Sequence, residues 1–491
     1  MNLKLRIRLL LTTIYVIIFT NIFSQNTKPN IIIFIADDVS WNDFGCYGNQ
    51  AVKTPNIDKI AGTSVKFNNA FLTTSSCSPS RISILTGRYP HNTGATELHM
   101  PILPEMPNLP KTLKSSGYYT VAAGKFHEGD HMKEVYDVMY SRKDGPDGNG
   151  DGGENNWVRS IADRPKEKPF FMWYAAHDAH RVWGTNEYAG SNDPDLVRVP
   201  PFMVDNEVTR KDFAMYYDEI TRFDAFIGMV IEQLKKESIL DNTILVIMAD
   251  NGRPFPRCKT RMYDDGIKTP LIIQWLGGGV LKNKTTDAIV SAIDIMPTLL
   301  DMSDVPIPGS VQGKSFKKIL KDEKSAFRNL AFAEHNWHDY EAYERMVRTK
   351  DFLYIYNARP QYPQSTSGDN HRDSSFQELV KTWKKGKLSP LQFQNFIAPR
   401  PFEELYDLQN DPMQLYNVSA EPAYQKILTG LREIKNEWQQ QTGDTEPKNL
   451  TFSNHDWLMG TFYDETFRPS KRREAPGSST NAHLINHPGR F

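Results

Sequence analysis

Four stretches of this chain share one pattern: an apolar run of strand length, followed at once by acidic, amide, basic or imidazole side chains. They are NIIIFIADD, ending in Asp37 and Asp38; YYTVAAGKFH, ending in Lys125 and His127; PFFMWYAAHDAH, ending in His177, Asp178 and His180; and TILVIMADNG, ending in Asp250 and Asn251. Apolar runs of this kind suit strands buried on both faces, as in parallel sheets. Helical stretches lie between them, so the chain is expected to form an α/β domain with a large, mixed, mostly parallel sheet flanked by helices. Ligands of such sheets bind beyond the carboxyl ends of the strands. One polar strand end would be an ordinary turn; four are expected to converge on a single cleft.

Asp37, Asp38, Asp250 and Asn251 offer only oxygen donors, and no Cys or His stands at zinc-like spacing. That set suits a hard divalent cation, Ca²⁺ before Mg²⁺. The bland alternative is four solvated turn residues.

A second signal lies in TTSSCSPSRISILTGRY, residues 73–89. From Pro79 to Leu85 it has helical character, with Pro79 suited to a first turn and Ile82 and Leu85 spaced to face a core. Ser76 or Cys77 would then cap the helix. A side chain at that position meets unpaired backbone N–H groups and the positive end of the helix dipole, which together bind anions. Arg81, one turn on, would add a planar charge on the same face. From these residues alone Cys77 is either a thiolate nucleophile of lowered pKa or a cap without chemistry.

The chain begins MNLKLRIRLLLTTIYVIIFTNIFSQ, in which Lys4, Arg6 and Arg8 precede an apolar run from Leu9 to Phe23 and then Ser24. Residues 1–24 are expected to be a secretory signal peptide, with an N-terminal membrane anchor as the alternative; the mature chain has no other apolar run long enough to span a bilayer. Export usually favours disulfides, yet there are only three cysteines, Cys46, Cys77 and Cys258, without framework spacing. They do not scaffold the fold. Cys46 and Cys258 are expected as two buried thiols, or otherwise as one bridge. A formal net charge of -1 over 491 residues removes the electrostatic argument for a nucleic-acid partner, so anion binding must be a property of a site.

CSPSRISILTGR resembles, position for position, the signature of the formylglycine-dependent type I sulfatases, whose C-x-P-S-R cysteine is oxidised to an aldehyde during export. The companions follow in the family's order: ADD resembles its first metal strand, GKFH its G-K-x-H, HDAH its H-D-P-H with Ala179 in place of Pro, and ADNG its second metal strand. KTRMYDDGIKTPLII is similar to its Lys followed by Tyr-acid-x-Gly and a Pro-led strand. Likeness runs from KPNIIIFIADD to ELYDLQNDPMQLYNV. SSCSPSR, ATELH and DNGRPFPRCK resemble the sulfamidase-like branch, which includes N-sulfoglucosamine sulfohydrolases and bacterial enzymes acting on O-sulfated polysaccharides.

The resemblance implies an alkaline-phosphatase-like sulfatase fold, with a signal peptide (1–24), a catalytic domain (25–325), a C-terminal subdomain holding a small antiparallel sheet and a helix (326–445), and a polar extension (446–491). It implies an exported, periplasmic or secreted hydrolase of sulfate esters on an algal polysaccharide such as ulvan or on a glycosaminoglycan. Its partners are a sulfated carbohydrate and a formylglycine-generating or anaerobic sulfatase-maturating enzyme. Its cofactors are Ca²⁺, held by Asp37, Asp38, Asp250, Asn251 and residue 77, and Cys77 itself as 3-oxoalanine (formylglycine). One hydroxyl of the hydrated aldehyde would attack sulfur and the other, once deprotonated, would expel sulfate. Arg81, Lys125 and Lys259 would clamp sulfate oxygens, His127 would act as base on the hydrate, and His180, with help from Lys259, would protonate the leaving group. His177 is expected to be structural. His99, Arg181 and His338 fall where the closest branch brings polar groups to the sugar.

Elsewhere, DGPDGNGDGGENNW, residues 144–157, carries the first half of a calcium-loop spacing without its terminal Glu, and is expected as a flexible loop. SAIDIMPTLLDM is expected to form a helix entered through Asp294, and a helix is expected from about Ala420 to Gln441. After Gly443 the chain turns polar and no fold is assigned; it is expected to wrap the surface or line the substrate path. Two competing readings keep parts of this picture: a phosphate or phosphonate ester hydrolase on the same fold, and a silent sugar- or calcium-binding protein.

Overall fold

Asn30–Ala36, seven buried residues in succession, form β1, the strand on which the sheet is centred. Alternate side chains leave opposite faces, so Ile32 and Phe34 enter one core and Ile31, Ile33 and Ile35 the other. This accounts for the absence of polar alternation in the run. The computed structural model describes residues 28–141, 153–183, 186–364, 366–457 and 472–491. The expected signal peptide and most of the expected loop at 144–157 lie outside the described residues.

Seven further strands complete the large sheet: β2 Val65–Phe71, β3 Tyr119–Gly124, β4 Val138–Tyr140, β5 Phe170–Ala175, β6 Thr243–Ala249, β7 Leu271–Gln274 and β8 Lys284–Ser291. Their order is β4-β3-β5-β1-β6-β7-β2-β8. β1 pairs in parallel with β5 and β6, setting Ile31 opposite both Phe171 and Ile244, and β3 continues in parallel beyond β5. Only β7 runs against its neighbours. The four apolar runs are therefore β3, β5, β1 and β6, side by side and pointing the same way.

The helix Glu207–Lys236 covers one face with Phe213, Ile220, Phe223, Ile227 and Val230. On the other face lie Ile82 and Leu85 of the helix Cys77–Thr86 and Ile295 and Leu299 of the helix Ile295–Met302. Burying each such side chain contributes roughly 1.5–3 kcal/mol. The Ile295–Met302 helix is entered through Asp294, as expected, with Pro297 in its first turn; a short 3₁₀ turn, Ala292–Asp294, opened by a capping box of Ser291 with Asp294, leads into it. Asp294 is spent on that box and on a two-pronged bond from Arg328 at 2.6 and 2.5 Å.

A small antiparallel sheet follows: β9 Ala331–His335, β10 Glu344–Arg348, β11 Phe352–Asn357 and β12 Glu403–Asp407, ordered β12-β11-β10-β9. One face, with Phe332, Val347, Tyr354 and Leu405, packs on Leu428, Leu431 and Trp438 of the helix Gln425–Thr442. The other, with Ala333, Met346 and Ile355, packs on Phe71, Met262 and Ile267 beside the large sheet.

The last twenty residues of the polar C-terminus pack against the large unit. Arg88, the last residue of the ILTGR run, is fully buried and donates to the carbonyls of His483 and Ile485 and to Asn486 Oδ1. Gly87, at φ 65°, permits the turn that presents it; a Cβ there would lie 2.8 Å from Val311 Cγ1. Phe491 seats its ring under Lys314 and Arg328. The tail thus wraps the large unit. The three cysteines are all free, Cys258 buried and Cys46 half-buried, so the expected alternative of a Cys46–Cys258 bridge is not formed.

Where the two sheets meet, a fully buried ionic group ties large unit, small sheet and tail together. His91 Nδ1 lies 2.9 Å from Glu334 Oε1, and Arg345 grips Asp444 at 2.6 and 2.7 Å with Glu334 at 3.7 Å. Removing one member of such a group leaves the others charged and unpaired. The variant Arg345→Met is expected to lose about 3–5 kcal/mol of unfolding free energy, measured as a lower midpoint in a urea titration; an unchanged midpoint would contradict the assignment.

Candidate active site

β1 and β6 deliver Asp37, Asp38, Asp250 and Asn251 to adjacent strand ends, all with no exposed surface. Backbone bonds fix their spacing: Asp37 N donates to Asp178 O at 2.8 Å, Asp250 N to Ala36 O at 3.1 Å, and Asp38 N to Asp250 Oδ1 at 3.1 Å. Asp38 sits at φ 58°, a left-handed conformation that is uncommon outside glycine and concentrated at functional sites.

The residue at the helix mouth meets this acidic pair of strand ends. Ser76 is the extended cap residue and Cys77 opens the helix. The thiol lies 4.0 Å from Asp37 Oδ1 and 3.9 Å from Asp38 Oδ1. Burial, with Asp37 and Asp250 nearby, pushes the Cys77 thiol above its ordinary range despite Lys125 and Lys259. Of the two chemistries left open by the sequence, a thiolate of lowered pKa is therefore not what this environment makes.

The basic residues close around the carboxylates. Arg81 Nε donates to Asp250 Oδ2 at 2.8 Å, while its Nη1 and Nη2 are buried without a hydrogen-bond partner among the described residues. Lys125, placed at the end of β3, pairs with Asp37 Oδ2. Lys259 Nζ reaches Asp38 Oδ2 at 2.8 Å. Although burial disfavours its charge, Asp37 is held far below the usual carboxylate range by Lys125, His180, Arg81 and Lys259. Burial, together with Asp37 and Asp38, pushes Asp250 up to about 7 against the pull of Arg81.

The donor set fits a hard cation. All side-chain donors other than Cys77 are oxygens; Asn251 Oδ1 is buried with no hydrogen-bond partner among the described residues; and ligand atoms of Asp37, Cys77 and Asp250 lie within 4.8 Å of one another. A divalent ion among these groups would relieve the repulsion that raises Asp250.

The imidazoles divide in two. His127 is driven down to about 2 by burial, then by Lys125 and His99, and its Nδ1 is buried without a partner among the described residues. His180, beyond β5, is raised: burial and Lys259 oppose its charge, but Asp38 and a hydrogen bond to Asp369 prevail. One ring is thus kept neutral, while the surroundings of the other favour its protonated form.

The three residues expected to face a sugar part company. His99 is exposed at the rim, with its ring edge-on to His127 at 4.7 Å between centroids. His338 is 4 % exposed and pairs through Nδ1 with Ser76 Oγ at 2.8 Å, behind Cys77. Arg181 is not brought to the cleft. Its guanidinium is committed to Asp212 at 2.9 Å through both Nη atoms, to Asp373 at 2.6 Å, and to the rings of Trp183 and Phe255. The neighbour of a cleft residue turned inward because acids and aromatics on other elements were there to receive it. His177 takes a backbone hydrogen bond to Glu154 Oε1 at 3.3 Å.

One contributor was not expected. Asp369, on the 3₁₀ turn Gly368–Asn370 after β11, accepts from Lys259 at 2.7 Å and lies 3.3 Å from His180 Nε2. An acid in SGDNHRD carries no sequence signal beyond that of a turn. The C-terminal extension also reaches the site. Trp337 and Leu98 form the apolar wall of Cys77; Trp337 donates to Phe452 O at 2.7 Å, and Arg472 lies over its ring and on Glu97.

Comparison with known proteins agrees with this geometry. The model of the family described as Sulfatase matches residues 29–305, and that described as N-sulphoglucosamine sulphohydrolase, C-terminal, matches residues 258–359. The chain is 28% identical over 457 residues to N-sulphoglucosamine sulphohydrolase of Homo sapiens, covering 84% of this chain and 90% of that protein. It is 29% identical over 438 residues to an ulvan-active sulfatase of Formosa agariphila, covering 86% and 82%. A solved structure in complex with its substrate D-glucosamine-2-N,6-O-disulfate superposes with a TM-score of 0.65 at 21% identity, over 84% of this chain and 98% of that one.

Burial, and then Lys259, hold His338 well below 6.5. Below that pH the unfolded chain takes up a proton that the folded chain refuses, so the contribution of His338 is present above pH 6.5 and is lost as pH falls, by about 1.4 kcal/mol per unit. His338→Asn can still meet Ser76 Oγ and cannot titrate. Between pH 6.5 and pH 5 it is expected to lose about 1–2 kcal/mol less stability than the natural protein, read from paired urea titrations.

Proposed function

The chain belongs to the sulfatase family and is a sulfuric ester hydrolase, and we propose that it removes sulfate from a sulfated polysaccharide or its oligosaccharides through Cys77 converted to formylglycine beside a calcium ion. The observation that carries this reading is the meeting of Cys77, at a helix N-terminus, with buried carboxylates and with the fork of Arg81, whose Nη atoms have no hydrogen-bond partner among the described residues. A thiol held above its ordinary range is a poor nucleophile, whereas a hydrated aldehyde at the same position offers one hydroxyl to attack sulfur and a second to expel sulfate. Asp37, Asp38, Asp250 and Asn251 would hold the ion, which supplies charge neutralisation and a lowered pKa to the attacking hydroxyl.

The remaining residues bind and move protons. Arg81, Lys125 and Lys259 hold sulfate oxygens. Protonated His180 gives its proton to the sugar oxygen as the sulfur–oxygen bond breaks; neutral His127 takes the proton of the second hydroxyl as the carbonyl re-forms. Asp37, Asp38 and Asp250 balance the three basic residues, so a divalent ion tips the pocket positive, which is what a sulfate anion requires.

The human relative's name points to N-sulfated glucosamine and the Formosa relatives' to ulvan, so the substrate is a sulfated glycan of one of these classes. Residues 1–24 would export the chain, and a maturating enzyme would oxidise Cys77 before it folds, because the folded thiol is only 2 % exposed.

Heparan-type and ulvan-type oligosaccharides of defined sulfation, offered in parallel, are expected to release sulfate from at least one class, with Cys77→Ala slower by at least about a thousandfold. The peptide holding residue 77 should show the mass of the aldehyde; an intact thiol in active protein refutes the proposal. Calorimetry of chelator-treated protein should find one saturable Ca²⁺ site, weakened at least about tenfold in Asn251→Ala.

A further inference from the structure

Asp369 is a carboxylate beside the sulfate-binding residues that comes from the small-sheet side of the molecule and keeps an open face. Its side chain is 29 % exposed, against none for Asp37, Asp38 and Asp250. Oδ2 does all the internal work, taking Lys259 Nζ at 2.7 Å and His180 Nε2 at 3.3 Å. Oδ1 accepts no hydrogen bond among the described residues. The carboxylate is therefore anchored by one oxygen and free at the other, beside the groups proposed to hold sulfate and protonate its leaving oxygen.

The backbone beneath it is built to keep it there. Gly368 N donates to Asp339 Oδ2 at 2.7 Å, and Asn454 N to Asp339 O at 3.0 Å. A Cβ on Gly368 would lie 2.8 Å from His455 Cε1 and 3.0 Å from Asp339 Cγ, so a larger residue would have to displace the His455 ring. The turn is clamped between Asp339 and the Asn454–His455 stretch. Asp339 adds a second acid immediately behind the first, and burial, with Asp369, pushes it up to about 7.

We propose that Asp369 reads the sugar next to the scissile sulfate: Oδ1 accepts a hydrogen bond from a hydroxyl or ammonium group on the neighbouring ring carbon, and its charge turns away sugars carrying a second sulfate there. The argument rests on the sulfated-glycan reading above. Sulfate sits against Lys259, and the leaving oxygen sits against His180, so the group bonded to Asp369 Oδ2 through those two donors fixes where the adjacent substituent must lie. A donor at that place completes the carboxylate. A second sulfate would set its charge against that of Asp369, and the cost falls on binding.

The test uses the matured, calcium-loaded enzyme and three substrates: an aryl sulfate, a monosulfated sugar with a free hydroxyl on the neighbouring carbon, and the same sugar sulfated on both carbons. The natural protein is expected to prefer the monosulfated sugar by at least about tenfold in kcat/KM, and Asp369→Asn to shrink that preference by at least about tenfold, chiefly by raising KM for the monosulfated sugar. Asp369→Ala should shrink it in the same direction. If both variants slow all three substrates by one common factor, with the preference intact, Asp369 serves only Lys259 and His180 and the inference is wrong while the function stands. Hydrolysis of the aryl sulfate but of neither sugar would overturn the glycan reading, and this inference with it.

Discussion

Three carboxylates, Asp37, Asp38 and Asp250, stand at the ends of two neighbouring strands with none of their surface in water. Charge buried in that way is tolerated only when it is answered. The rest of the site is the answer: Arg81 from a helix, Lys125 from a third strand, Lys259 from the loop after β6, each within ion-pair distance of one of the three. Asn251, whose carbonyl oxygen has no partner, and the raised Asp250 mark the part of that account which the described side chains leave open.

The same constraint explains why so much of the molecule outside the sheet is ordered. The segment that brings Cys77 to the carboxylates is buried along its entire helical length, so it must be covered from every side. His338 and Trp337 cover its start, the small sheet bonds to it at Thr73 through Glu334 N, and Arg88 at its far end holds the C-terminal tail. A signature that looks catalytic throughout is thus partly structural: Cys77 and Arg81 face the carboxylates, whereas Gly87 and Arg88 turn the chain and grip its terminus.

Fold and site were legible to different depths. The four apolar runs were readable because buried parallel strands need no polar alternation, and their polar ends were readable because such ends are where an α/β sheet exposes side chains to a ligand. The small sheet and its helix were expected from the family resemblance. Arg181 illustrates the limit: beside His180 in the chain, its side chain nevertheless left for Asp212 and Asp373.

The chain alone determined the strands, their polar termini, the helix that starts at residue 77, and the chemistry of the donor set, since all of these are encoded in spacings of a few residues. Only the folded structure decided that Asp369 joins Lys259 and His180, that the polar tail backs Trp337 beside Cys77, that His338 lies behind Cys77, and that the pKa values of two imidazoles are moved in opposite directions. Those outcomes depend on groups separated by tens to hundreds of residues. Burial and charge act through space, and no local pattern records which distant side chain will be there.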